Sequence, residues 1–146
     1  ASVFVDFAHT PAALETALTA IRPHVHGRLH VLFGAGGDRD RGKRPLMGEA
    51  AARYADHVTV TDDNPRTEEA ATIRREVMAG CPDAAEIGGR AEAIAACIER
   101  LGPEDALVIA GKGHERGQII GTEKYPFDDA QVARQKVLDL DGSLVR

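Results

Sequence analysis

Tryptophan is absent from these 146 residues, and aromatic residues make up only 4% of them. That scarcity argues against a stacking platform for single-stranded nucleic acid. A formal net charge of −5 argues against a general binder of the phosphate backbone, although local basic clusters can still hold a small anion. Cysteine is limited to Cys81 and Cys97, with no CxxC and no partnered histidine spacing, so no zinc motif or disulfide framework is expected. Cys97 falls on the apolar stripe of a helix, the place of a buried free thiol, and the pair suits a reducing compartment. No run approaches the roughly 18 apolar residues of a membrane span. No signal peptide, internal repeat, low-complexity segment or dividing linker is visible. Neither nucleic acid nor membrane is therefore an expected partner.

What is present is ordinary globular material, 43% hydrophobic and 28% charged. Residues 1–146 are expected to form one domain, large enough to bury roughly 68–70% of its unfolded surface without metal or disulfide. Because Ala1 leads straight into a strand-like run, the chain reads as a piece of a longer protein.

Strand, loop and helix signals alternate along the chain, which predicts an α/β fold: a Rossmann-like three-layer domain, its mostly parallel sheet of about six strands carrying helices on both faces. Strands are expected at Ser2–Phe7, Leu29–Phe33, His57–Thr61, Ala85–Ile87, Ala106–Ala110 and Gln118–Ile120, the last of them short and antiparallel. Ala106–Ala110, a continuous apolar run, suits the sheet centre. Thr10 caps a helix opened by Pro11, with Leu14, Ala17, Leu18 and Ile21 on its apolar stripe. Pro45 opens a second helix, bearing Met47, Ala50, Ala51 and Tyr54. Thr67 caps a third, with Glu68 and Glu69 at its positive end. Ile94, Cys97, Ile98 and Leu101 mark a fourth, and Asp128–Leu140 a fifth.

In open α/β sheets, ligands bind beyond the carboxyl ends of the strands, near helix N-termini. Polar, glycine-rich sequence falls there four times: at Asp6–His9, Gly34–Pro45, Asp62–Arg66 and Gly111–Glu115. Two apparent nucleotide motifs fail on inspection. GAGGDR (Gly34–Arg39) begins like the dinucleotide fingerprint but puts Arg39 where a third glycine must allow helix and sheet to approach. GDRDRGKR (Gly37–Arg44) lacks the Ser or Thr that would bind Mg²⁺, and its interior is charged where backbone amides should cradle phosphate. His114-Glu115 has Gln118, not histidine, four residues on, so it makes no zincin site. His24, His26 and His30 straddle a helix end and a strand, and a solvated turn explains them better than a metal cluster does.

The alternating charges Asp38, Arg39, Asp40 and Arg41 admit two readings, a self-paired solvated turn or part of a site. Opposite them, Asp63-Asn64-Pro65-Arg66 offers another arginine on a proline-fixed turn, with Asn64 pushed to an extended conformation that can aim its amide inward. Gly111–Glu115 adds a carboxylate on a flexible loop. Forked guanidinium groups take carboxylates and a carboxylate takes an ammonium, so the set suits a zwitterion.

DFAHTP (Asp6–Pro11), GAGGDRDRGKRPLMG (Gly34–Gly48), DNPR (Asp63–Arg66) and GKGHE (Gly111–Glu115) together resemble the C-terminal domain of the Mur ligases, over nearly the whole chain. The resemblance is nearest to the branch that adds the third residue of the peptidoglycan stem. It implies a cytoplasmic bacterial enzyme that uses ATP and Mg²⁺ to activate the glutamate carboxylate of UDP-N-acetylmuramoyl-L-alanyl-D-glutamate as an acyl phosphate, which the incoming amine attacks. The DNPR form implies meso-diaminopimelate as that amine. Carried over by motif, Arg39, Asp63, Asn64, Arg66, Gly111 and Glu115 would form the diaminopimelate pocket. Arg66 would pair with the carboxylate that lysine lacks, and Asp63 would help fix the loop. Asp6 and His9 would contact ATP, although His9 could equally be a packing residue ahead of its helix. Phe7 stands where the family commonly has tyrosine. The family's phosphate loop and modified lysine belong to a central domain, and its UDP site to an N-terminal one. The resemblance thus puts no catalytic residue and no metal ligand in this chain and implies that it is inactive alone. A relative with another acceptor, L-lysine or a cyanophycin-type substrate, and a non-catalytic binding module remain as alternatives.

Overall fold

Leu29–Phe33 and Ala106–Ala110 are buried at every residue, and they set the frame of the fold. In the computed structural model, described for residues 1–113 and 115–144 (the side chains of 141–144 excepted), they are adjacent parallel strands. The strands are β1 (Ser2–Asp6), β2 (Leu29–Phe33), β3 (His57–Val60), β4 (Ala85–Glu86), β5 (Ala106–Ala110), β6 (Gly117–Ile120) and β7 (Glu123–Pro126). The helices are α1 (Pro11–Ile21), α2 (Lys43–Tyr54), α3 (Ala70–Met78), α4 (Arg90–Glu99) and α5 (Asp129–Leu144).

The first five strands form a parallel sheet in the order β1-β5-β2-β3-β4. Strand alternation splits each central strand between two cores. Leu29, Val31 and Phe33 of β2, with Ala106, Val108 and Ala110 of β5, pack against Leu14 and Leu18 of α1, Met47 and Ala51 of α2, and Val77 of α3. Leu32, Leu107 and Ile109 face the other way, onto Ala93, Ile94, Cys97 and Ile98 of α4 and Ala133 of α5. This is the expected three-layer α/β arrangement, and the continuous apolar runs follow from burial on both faces.

Four details depart from the sequence expectation. The main sheet has five strands, because Gly117–Ile120 pairs instead with β7 in a separate antiparallel hairpin. The central strand is β2; β5 lies between it and edge strand β1. Helix α2 starts at Lys43, so Pro45 falls inside its first turn, where a missing N–H removes no helical bond. Thr67 does not cap α3, which begins at Ala70 after Glu69; its hydroxyl instead donates to the Asp38 carboxylate at 2.7 Å. Thr10 does cap α1, accepting the Ala13 N–H at 3.1 Å. Among the described residues, no helix is long and apolar enough to cross a membrane.

Candidate functional site

The parallel register brings the C-terminal ends of β1, β2, β3 and β5 to one edge of the sheet, with Asp6 opposite Ala110 and Phe33 opposite Val60. The four polar loops leave from these ends. They meet around a cavity of about 340 Å³ lined by His9, Gly34–Gly36, Arg39, Asp40, Lys43, Arg44, Met47, Asp63, Asn64, Arg66, Gly111 and Glu115. Every residue assigned to the amino-acid pocket thus lines one cavity, and His9 with them. Asp6 does not line it.

Backbone packing holds the loops at this spacing. A Cβ on Gly37 would lie 1.7 Å from the Pro65 carbonyl oxygen, so only glycine fits, and the Gly37 N–H donates to Asn64 O at 2.7 Å. On the other side, Asp6 O accepts the N–H groups of Gly111 and Gly113, at 3.0 and 3.1 Å. The Asp6 carboxylate accepts the Ala8 N–H at 3.0 Å. His9 Nδ1 is 2.8 Å from Phe7 O, which leaves Nε2 for another partner.

The Asp/Arg loop is not a self-paired solvated turn. Its charges reach across to the segment leading into α3 and to that helix. Asp38, at φ +55°, bonds the hydroxyl and the N–H of Thr67; those bonds hold its carboxyl below the usual range. Arg41 pairs with Glu76. Arg44, only 1% exposed, pairs with Glu68 and Glu76 and donates to Gly36 O at 3.1 Å. The Arg44 guanidinium, with Asp38 N–H as a second donor, keeps the Glu68 carboxyl low; Arg41 does the same chiefly for Glu76. The Nε of Arg44 is buried with no hydrogen-bond partner among the described residues.

Within this frame three of the cavity's cations, Arg39, Lys43 and Arg66, form no ion pair among the described residues. Arg66 Nη1 donates to Gly37 O and Asn64 O, at 3.0 and 3.4 Å, and has no carboxylate partner within 4.0 Å among the described residues. Arg39 donates to the neighbouring Asp38 O at 3.2 Å, and Lys43 makes no ion pair among the described residues. Glu115 contributes a half-exposed carboxylate.

Sequence reasoning missed two buried cations beneath the pocket. Lys112 is fully buried within the GKGHE motif, and it bonds Asn64 Oδ1 and Gly117 O, each at 2.8 Å. A lysine between two glycines, two residues beyond a fully buried strand, was the available signal. Arg90, at the start of α4, forms a bidentate pair with Asp129, both bonds at 2.7 Å, and donates to Asp62 O and Ala110 O. Nothing in its local sequence marked it. The Asn64 side-chain oxygen accepts from Lys112 Nζ and from the Ile119 N–H, each at 2.8 Å, so the amide nitrogen is the end that remains for a ligand. His114 of the same motif lies outside the described residues.

A larger cavity of about 580 Å³ opens at the opposite edge, beside the two-residue β4. Its polar lining is largely self-satisfied, with His30 on Asp105 at 3.0 Å, Arg28 on His57 at 3.1 Å and Cys97 on Thr59 at 3.3 Å. His30 is therefore a buried strand residue, not part of a solvated turn. Cys97 is a buried free thiol, as its stripe position suggested; Cys81 is buried as well, and that burial pushes its thiol up to about 11. Among the described residues, no group of three or more His, Cys, Asp or Glu is placed to hold a metal ion.

Comparison with known proteins identifies the family and supports the fold. Residues 1–113 match the family described as Mur ligase, glutamate ligase domain. The UDP-N-acetylmuramoyl-L-alanyl-D-glutamate–2,6-diaminopimelate ligase of Zymomonas mobilis is 61% identical over 142 residues, covering 94% of this chain and 29% of the relative. The enzyme of the same name from Agrobacterium fabrum is 54% identical, covering 99% of this chain and 30% of its own length. A solved structure of a ligase with that name superposes with a TM-score of 0.92 at 43% identity, over 95% of this chain and 29% of the other. The chain thus spans about three tenths of the length of the relatives it matches, and it belongs to the Mur ligase family.

Proposed function

We propose that residues 1–146 form the C-terminal domain of an ATP-dependent amide ligase that adds meso-diaminopimelate to UDP-N-acetylmuramoyl-L-alanyl-D-glutamate in the bacterial cytoplasm. The domain's part is to bind the incoming amino acid. The observation that carries this reading is the convergence of Arg39, Asn64, Arg66, Gly111 and Glu115 on one cavity of about 340 Å³, within the usual range for small-molecule sites. Diaminopimelate carries two carboxylates and two ammonium groups. Arg39, Arg66 and the Asn64 amide nitrogen offer donors to the carboxylates, and Glu115 and Asp40 offer acceptors to the ammonium groups. Asp63 fixes the loop from behind.

Bound ATP, with Mg²⁺, would supply the phosphoryl group that activates the glutamate carboxylate. The polar groups present in this chain suit a minor share of the nucleotide contacts, through His9 Nε2 and the second oxygen of Asp6, neither bonded among the described residues. The remaining contacts, and the UDP site, belong to the parts of the ligase outside this chain. What this chain does for the reaction is orientation: it holds the zwitterion so that one amine faces the activated carboxylate.

The test is made in the full-length ligase. Arg66→Ala removes a charge-assisted bond with a cost of about 1.5–3 kcal/mol, so the diaminopimelate KM should rise at least about tenfold. An unchanged KM removes Arg66 from the site. Calorimetric titration of the wild-type ligase with diaminopimelate against L-lysine decides the acceptor. Tighter binding of lysine assigns the chain to a lysine-adding ligase, and binding of neither overturns the reading.

A further inference from the structure

The charge most deeply set in this site belongs to Lys112, whose side chain is 0% exposed. Its ammonium donates hydrogen bonds to Asn64 Oδ1 and Gly117 O, each at 2.8 Å, and forms ion pairs with Asp63 Oδ1 at 3.3 Å and Glu115 Oε1 at 3.8 Å. The two hydrogen-bonded acceptors come from two different segments, the loop after β3 and the first residue of the β6–β7 hairpin. Lys112 itself belongs to a third, the loop after β5. A buried ammonium hydrogen-bonded to both segments is a rigid three-way junction, because releasing either arm leaves a desolvated charge less satisfied.

The junction also decides a chemical question at Asn64. The two ends of an asparagine amide are told apart by their partners. Here the inner end faces two obligatory donors, Lys112 Nζ and Ile119 N–H, each at 2.8 Å. Only oxygen can occupy that position. The NH₂ group is therefore the end left to the cavity that Asn64 lines, and there it can only donate. The hairpin completes the lock: Arg66 N–H donates to Ile119 O at 3.1 Å, and Gly121 N–H to Arg66 O at 2.5 Å, around an Arg66 held at φ +51°.

Building on the proposed amino-acid site, we propose that Lys112 is its positioning residue. The buried ammonium fixes the Asn64 amide as a donor to a substrate carboxylate and splints the Asp63–Arg66 loop to the loop after β5 and to the hairpin. Lys112 does not touch the substrate and acts through Asn64. A lysine ammonium suits the junction because its three donors radiate from one atom, whereas the planar fork of arginine cannot reproduce them.

The test is a double-mutant cycle in the full-length ligase, reading the diaminopimelate KM, kcat and the ATP KM, with thermal melts to confirm folding. Lys112→Met should raise the diaminopimelate KM at least about tenfold while the ATP KM stays within about twofold. Asn64→Ala should do the same. Because one residue works through the other, the pair together should be no worse than the more severe single variant. Lys112→Arg keeps the charge and serves as the folded comparison should the methionine variant fail to fold; it should show the same selective rise, smaller in size. Multiplying effects of Lys112 and Asn64, or a diaminopimelate KM unchanged in a folded Lys112 variant, would overturn the proposal. If wild-type ligase binds diaminopimelate while the Lys112 variants keep its affinity, only the positioning role fails. If wild-type ligase binds no diaminopimelate, the functional reading beneath it fails.

Discussion

The pair Arg90–Asp129 offers the sharpest test of what holds the site edge together. Both side chains are 0% exposed and meet in two bonds of 2.7 Å. Arg90 also donates to Asp62 O at 3.1 Å and Ala110 O at 3.3 Å. One guanidinium therefore ties α4 to the start of α5 and to the ends of β3 and β5, directly beneath the binding loops. Asp129→Ala leaves a buried guanidinium without its counter-charge, a loss of about 3–5 kcal/mol. That is a large part of the 5–15 kcal/mol that typically stabilises a domain, and it corresponds to a fall in Tm on the order of 10 °C or more. Replacing both partners, with Arg90→Met and Asp129→Ala, removes the stranded charge. What then remains is the cost of two carbonyls without a donor, about 1–3 kcal/mol each. The double variant should thus be at least about 2 kcal/mol more stable than the sum of the single losses predicts. Urea titration of the three variants, compared at a common slope, measures this. A loss under about 1 kcal/mol for Asp129→Ala, or strict additivity, would refute the idea that the buried pair is one unit.

Two further expectations concern the loops. Gly113 sits at φ +56°, where a Cβ would lie 2.5 Å from the Phe7 ring. Gly113→Ala should cost about 1–2 kcal/mol from the left-handed conformation alone, and Phe7→Ala should restore only the part due to the clash. Equal urea midpoints for wild type and Gly113→Ala would show that this loop is not held as described. In acid, the carboxyls of Glu68, Glu76 and Asp38 are held low by Arg44, Arg41 and Thr67 respectively. Carboxyls depressed by folding favour the folded state above their unfolded values and lose that contribution as pH falls through the folded ones. Thermal stability should therefore hold from pH 7 down to about 5 and decline below about 4. Glu68→Gln should give a shallower acid limb, and a wild-type Tm identical at pH 7 and pH 3 would contradict the assignment.

Local pattern reached the elements that bury themselves by their own composition. Leu29–Phe33 and Ala106–Ala110 are buried at every residue, and only a strand covered on both faces accommodates such runs. The Thr10 cap was legible because its bond to Ala13 spans three residues. Thr67 and Glu68 had the same local credentials, but their side chains serve partners far away in sequence, Asp38 and Arg44. The hairpin was half visible: β7 is exposed along its length and carries no apolar alternation to announce it.

The sequence by itself determined the alternating α/β order, and it placed glycine, arginine, asparagine and carboxylates in the loops that follow the strands. Both are properties of short segments, so they survive without knowledge of the partners. Tertiary structure alone decided that the four loops share one cavity, since β5, late in the chain, inserts between β1 and β2. It also decided which polar groups face a ligand and which face each other. Arg44, Arg90 and Lys112 look like surface cations in sequence and are each 2% exposed or less. A buried cation is tolerated only where acceptors from several segments meet, and that meeting exists only after the chain has folded.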